Sequence, residues 1–220
     1  MPFLRLLTLG GVVIWPLLVF SVLATVLILE RCWFWGRLLP RQEQLITAVL
    51  KAYPQNPQVA LSKLKQNTDL PLARIFLSAL SLAQATPEEF RLALETAAQA
   101  ELPLLKRFNT VFDTIIGVAP LLGLLGTVLG LIEAFASLRL GDVGGVESVG
   151  VTSGIGEALI STAAGLIVAI ATLLFANLFQ GFYRRQRTFI QAAAGRLEIL
   201  HRRLYRQQLQ PPKDRYGEVY

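Results

Sequence analysis

Three stretches of this chain are apolar on every side, and between them the apolar residues fall back to the spacing of amphipathic helices. The first, residues 12–30, begins VVIWPLLVFSVLATVLIL and meets no charge before Glu30. The second, 114–136, reads TIIGVAPLLGLLGTVLGLIEAFA. The third, 154–180, reads GIGEALISTAAGLIVAIATLLFANLFQ. A helix rises about 1.5 Å per residue, so about 20 apolar residues cross a hydrocarbon core roughly 30 Å thick. Each stretch predicts a transmembrane helix. A cleaved secretory signal would need a basic start, a shorter apolar run and a small-residue cleavage site. Only Arg5 precedes the first run, and Glu30-Arg31-Cys32-Trp33 follows it, so the span is expected to be retained. Trp15, and Trp33 with Trp35, fall near its two ends, where an aromatic belt is expected.

The remaining segments read as helices. Within 31–113, Pro54, Pro57 and Pro71 punctuate short pieces. The run LARIFLSALSLA (72–83) has helical apolar spacing. Thr86-Pro87-Glu88-Glu89 carries the marks of a helix start: threonine as cap, proline at the first position, acids in the first turn. In 181–220, residues 181–206 form an amphipathic basic helix that is expected to extend the third span. The end, QPPKDRYGEVY, is too polar to pack and is expected to be disordered. No strand-like alternation of useful length and no internal repeat occurs. The fold class that follows is an all-α integral membrane protein, with three transmembrane helices and long helical extensions.

Charge orients the spans. Of the 21 Lys and Arg residues, ten lie in 31–110 and nine in 181–220, leaving only Arg5 and Arg139 elsewhere. Basic residues stay on the cytoplasmic side. Residues 31–113 and 181–220 are therefore expected in the cytoplasm, and 1–11 and the 137–153 loop on the periplasmic side. The net charge of +6 is thus read as topology rather than as a nucleic-acid footprint, with the basic tail free to touch anionic membrane lipids. Charged residues make up 16% of the chain, against about 25% in soluble domains. One cysteine, Cys32, excludes an intrachain disulfide, and one histidine, His201, in a basic stretch, argues against a metal site. No cofactor motif is present. The spans hold no nucleophile–base pair or ligand set for an enzyme.

The candidate functional residues lie in the second and third spans. Gly123, Gly126 and Gly130 remove side chains, so that a neighbouring helix can come close. Ser161, Gly165 and Ala169 recur every four residues and form a matching small-residue face. Thr127 lies seven residues from Pro120 and fourteen from Asp113, so the three share a polar face. Its hydroxyl serves either a hydrated pathway or a bond to its own helix. Thr162 lies on a stripe with Ala158 and Leu166. Glu157 is an ionisable group inside a span, a functional candidate by default. If the helix starts near Gly154, Glu157 is instead a first-turn carboxylate suited to the helix dipole. Glu133 lies near the outer end of the second span, about 120° round from Thr127, as a mouth or interhelix residue. Asp113 is the corresponding candidate at the other end. No other titratable group lies in the spans, so this chain supplies no mid-membrane proton acceptor.

PLLGLLGTVLGLIEAF (120–135) and GIGEALISTAAGLIVAIATLLFAN (154–177) resemble the MotA/TolQ/ExbB proton-channel family. The Glu30-Arg31 exit of the first span, the long cytoplasmic insert and the chain length are similar to its ExbB branch. The resemblance implies a homopentamer around a central pore, enclosing a dimer of a single-span ExbD-like partner whose aspartate accepts the proton. It also implies that Thr127, Thr162 and Glu157 are polar pore-lining positions. The implied function is a motor driven by the proton-motive force that energises TonB-dependent transport across the outer membrane, through a TonB-like protein. The alternatives are a TolQ-like role in envelope maintenance and a non-conducting membrane scaffold. The latter needs the small-residue faces but neither Thr127 nor Glu157.

Overall fold

A computed structural model describes residues 12–136 and 147–209. The expected periplasmic N-terminus (1–11), residues 137–146 of the expected loop and the tail 210–220 lie outside the described residues. Among the described residues every regular element is an α-helix: α1 (Ile14–Ala52), α2 (Pro57–Lys65), α3 (Pro71–Leu80), α4 (Pro87–Leu105), α5 (Asn109–Ala136) and α6 (Glu147–Leu209). Helices α1, α5 and α6 each carry a segment long and apolar enough to cross a membrane. Both α1, at 39 residues, and α6, at 63, exceed the length a bilayer requires.

The chain divides into two compact units. Of the described residues, one contains 12–32, 108–136 and 147–180, and the other 33–107 and 181–209. In the first unit, Val13, Leu17 and Ala24 of the α1 side pack with Ile115 and Ala119 of α5 and Ala169 of α6. Much of the rest of the apolar surface stays open, with Leu121 63% and Ile167 67% exposed. Contiguous apolar surface on this scale belongs against lipid or another protein chain. At the edge of the unit, Arg31 is buried, with its Nε 3.1 Å from Glu30 and its guanidinium 5.1 Å from the centre of the Phe108 ring. Phe108 has a left-handed backbone, φ 70°, just before α5 begins.

The second unit is built on large buried side chains. Phe76, Phe90, Leu64, Leu72, Ile75, Ile190 and Leu197 are fully buried. Prolines open α2, α3 and α4, as their fixed φ and missing N–H favour. Asn56 caps α2 by accepting from the N–H groups of Gln58 and Val59. Thr86 and Glu89 form a reciprocal capping box on α4. Arg74 donates to both carboxylate oxygens of Glu101, linking α3 to α4. Buried Gln42 and Gln186 hydrogen-bond across α1 and α6.

Two expectations are corrected. Trp35 is not a lipid-facing belt residue: it is 2% exposed and packs against Phe34 and Phe182 in the second unit. The ring lies on the inward stripe of an amphipathic helix, whereas Trp15 and Trp33 are exposed. The helix of the third span begins at Glu147, not at 154, so residues 147–153 of the expected loop are helical. Gly154 was the expected start of the third span. It is instead a packing position facing Ala134, whose Cβ would stand 2.8 Å from an added side chain. Glu157, ten residues in, is therefore not a first-turn residue.

The capping box generates a prediction. Thr86→Ala removes the acceptor for the Glu89 N–H and should destabilise the protein by about 1 kcal/mol, seen as a lower thermal midpoint. Glu89 in turn accepts from the Thr86 backbone N–H at 2.8 Å, which holds its carboxyl below the ordinary carboxylate range. Such a group stabilises the fold above its unfolded pKa of about 4.3 and loses that contribution as pH falls through the lowered folded value. Glu89→Gln should therefore flatten the acid limb of the stability curve, compared with the unsubstituted protein below about pH 4.3.

Candidate functional site

Along α5 and α6 the second and third spans meet where both have given up side chains. From α5 come Gly123, Gly126, Gly130 and Ala134, all buried. From α6 come Gly154, Ala158, Ser161 and Gly165. A Cβ added at Gly165 would stand 2.5 Å from the Ala119 carbonyl oxygen and 3.1 Å from the Gly123 Cα. One at Gly123 would be 3.0 Å from the Thr162 Cα, and one at Gly126 would be 2.5 Å from the Ser161 Cβ. At Gly130 the neighbour is the Ala158 Cβ, at 3.1 Å. Gly165 and Gly123 thus meet backbone, and Gly126 and Gly130 meet the Cβ atoms of Ser161 and Ala158, which their backbones fix, so none of these neighbours can turn aside. Ala169 lies farther along α6, in the cluster shared with α1.

This approach places the Thr162 hydroxyl 3.0 Å from the Gly123 carbonyl oxygen, to which it donates across the two helices. Thr127 is not brought into that bond. Its hydroxyl donates to Leu124 O of its own helix, at 2.6 Å, and the residue is half-buried. Ser161 likewise donates to Glu157 O, at 3.2 Å. Each hydroxyl has committed its proton and keeps acceptor lone pairs. Glu157 is half-buried and Glu133 exposed. Their neighbours Ala158 and Ala134 both pack at the Gly130–Gly154 end of the seam, so the carboxylates belong to that end. Asp113 is exposed near the opposite end of α5, away from this seam.

Residues 67–192, more than half of the chain, match the MotA/TolQ/ExbB proton channel family. The chain belongs to that family. It is 60% identical over 198 residues to the ExbB-like 3 protein of Synechocystis sp., covering 90% of this chain and 94% of that one. It is 41% identical over 203 residues to the ExbB-like 1 protein of the same organism, covering 92% and 80%. Against biopolymer transport protein exbB1 of Vibrio cholerae the identity is 31% over 172 residues, 76% and 75% of the two chains. With its three apolar helices, the protein is an ExbB-branch protein of a bacterial inner membrane.

Sequence reasoning missed Ala119, Ala134 and Gly154 as contact positions. A signal was present: Gly130 and Ala134 continue the glycine rhythm of α5, and Gly154 with Ala158 carries the small-residue stripe of α6 back toward its start.

The seam predicts a ranking of alanine substitutions. Gly165→Ala, which drives a methyl into backbone, should reduce the yield and thermal midpoint of the folded protein most. Gly126→Ala should also be costly, because the Ser161 Cβ, 2.5 Å from the added methyl, is fixed by its backbone. Gly117→Ala, with nothing within 4 Å, should be neutral or slightly stabilising. Equal melting behaviour of the first and last variants would show that this approach does not limit stability.

Proposed function

We propose that the chain is an ExbB-like, non-enzymatic subunit of a motor that uses the proton-motive force to energise TonB-dependent transport across the outer membrane. The observation that carries the reading is Thr162: a hydroxyl held on the Gly123 carbonyl between two largely apolar spans. Its acceptor lone pairs are available to water, and so are those of Thr127. Support comes from the relatives, among them the biopolymer transport protein ExbB of Neisseria gonorrhoeae, 34% identical over half of this chain. In this proposal Thr127 and Thr162 contact a hydrated proton path and Glu157 tunes its outer part. The functional unit is a homopentamer enclosing an ExbD-like single-span partner that supplies the titrating carboxylate. A unit charge falling through 100 mV yields about 2.3 kcal/mol, so a few protons suffice for a conformational cycle. The basic-residue distribution supports a periplasmic N-terminus and a cytoplasmic C-terminus.

One observation favours the scaffold reading. The hydroxyl protons of both threonines are already engaged in helix packing or local helix bonding.

Partner-dependent proton flux in vesicles under an imposed potential separates the two. Thr127→Val should leave assembly intact and lower flux about tenfold or more, equivalent to ~1.4 kcal/mol in barrier. Thr162→Val should lower flux similarly and also cost about 0.6 kcal/mol of helix association, the mean for interhelical bonds in membranes. Glu157→Gln should impair flux less. Unchanged flux from both threonine variants, at matched complex levels, leaves the scaffold standing. Reporter fusions should place Gly145 outside the cytoplasm and Leu70 and Gln210 inside it.

A further inference from the structure

His201, the chain's single histidine, joins three separate segments of the second unit. Its Nε2 lies 3.0 Å from the Ala85 carbonyl oxygen, and its Nδ1 lies 2.8 Å from the Tyr53 hydroxyl. Its ring stacks on Phe90, with centroids 4.0 Å apart and planes 7° from parallel. One imidazole on α6 therefore touches the residue that follows α1, the segment before α4, and α4 itself. A carbonyl only accepts, so Nε2 carries a proton and donates to Ala85. In the neutral ring Nδ1 is then the acceptor, and Tyr53 donates to it. The phenol is 4% exposed, and burial pushes it up to about 12, so it stays protonated as that donor throughout the physiological range.

We propose that His201 is a pH-operated latch, which when neutral ties the end of α1 to α6 through Tyr53 and when protonated releases that tie alone. Protonation adds one proton, at Nδ1, and turns the acceptor into a donor that faces the Tyr53 O–H. The phenol must turn its own proton away, and its burial leaves few partners to receive it. The other two contacts gain. The Nε2–H bond to Ala85 becomes charge-assisted, and a cation over the Phe90 face is attracted to it. The switch is thus directional: the α1 contact loosens while the α4 side tightens.

The ring has a route to solvent. A cavity of about 530 Å³ is lined by Tyr53, Gln84, Phe90, His201 and Tyr205, among others. Gln84 on its rim has a left-handed backbone, φ 55°. On its own helix the ring is followed directly by Arg202 and Arg203. α1 brings Tyr53; α2 reaches the cavity only with Pro57; residues 81–86 bring none. α4 opens with exposed Glu88 and with Glu89, which is held in its capping box by Thr86. On α6, Tyr205 stands 6.4 Å from the ring, and Glu198 is bonded to Arg202. Among the described residues, the cavity lining contains no carboxylate to take over the bond that Tyr53 loses. Imidazoles change charge between about pH 5 and 8, where cells regulate pH. That the latch reads cytoplasmic pH rests on the topology proposed above; the latch itself does not.

The test uses the purified full-length protein carrying a tag without histidine. The nitrogen resonances of the one imidazole follow its protonation and tautomer from pH 5 to 8, and hydrogen exchange is measured over the same range, corrected for intrinsic rates. As His201 takes up its proton, exchange in residues 49–56 should rise by roughly three- to tenfold, the range spanned by one net hydrogen bond. Exchange in residues 85–90 should stay level or fall. His201→Gln, whose amide can both donate and accept but does not titrate, should lack the step, and Tyr53→Phe should be loosened at every pH. The same step in His201→Gln, no step in the unsubstituted protein, or both segments loosening together would each overturn the latch. None of these readouts involves flux or a partner, so failure of the proposed motor function would leave them unaffected.

Discussion

The contact on which the membrane-spanning unit depends is the backbone approach of α6 to α5 at Gly165, where a methyl group would stand 2.5 Å from a carbonyl oxygen. In lipid, apolar side chains gain nothing by leaving one hydrocarbon surface for another, so helices associate through close packing and polar bonds. Glycine supplies the first and thereby makes the second possible. Only because Gly123 and Gly165 let the backbones meet does the Thr162 hydroxyl reach the Gly123 carbonyl. The contact of α1 shares this core: Val13, Leu17 and Ala24 pack in one cluster with Ala119, whose carbonyl faces Gly165. What the seam leaves outside is a set of apolar faces with no cover in a single chain.

The second unit follows the opposite logic. Its core comes from large side chains, Phe76, Phe90, Ile190 and Leu197 among them, and its short helices are set by caps and prolines. Directional bonds then fix which helix meets which. Arg74 with Glu101, Gln42 with Gln186 and Tyr53 with His201 each join residues far apart in sequence. An unbranched apolar contact tolerates sliding by a fraction of a turn, whereas a bidentate or two-ended bond does not.

Local chemistry was legible in the sequence. The prolines at 57, 71 and 87 and the Thr86 cap mark helix starts because their causes, a fixed φ and a side-chain acceptor, act within one turn. The glycine rhythms of the two spans could likewise be read from periodicity. Partnership could not. Trp35 had the position of a belt residue, and only the arrival of Phe182 from α6 makes it core. Gly154 stood at the expected start of the third span, and only Ala134 opposite it explains a glycine inside a helix. His201 looked like one more polar residue in a basic stretch, since its three contacts come from residues at least 100 positions away. Periodicity reports which face of an element is used and is silent on what meets it.

The threonine geometry bears on how such a pathway would work. A hydroxyl that passes a proton along must give up its own while receiving another, which breaks any bond that its proton makes. Thr162 and Thr127 both spend that proton on carbonyl oxygens. What each presents to a water molecule is a lone pair, so the water donates to it and is oriented by it. Two such sites fix the direction of nearby water dipoles without joining the transfer. In the proposed motor the threonines therefore align a chain of water, and the titrating step belongs to a carboxylate. The second and third spans offer carboxylates only toward one end, at Glu133 and Glu157, so in the proposed motor an acceptor at mid-membrane depth comes from the proposed partner.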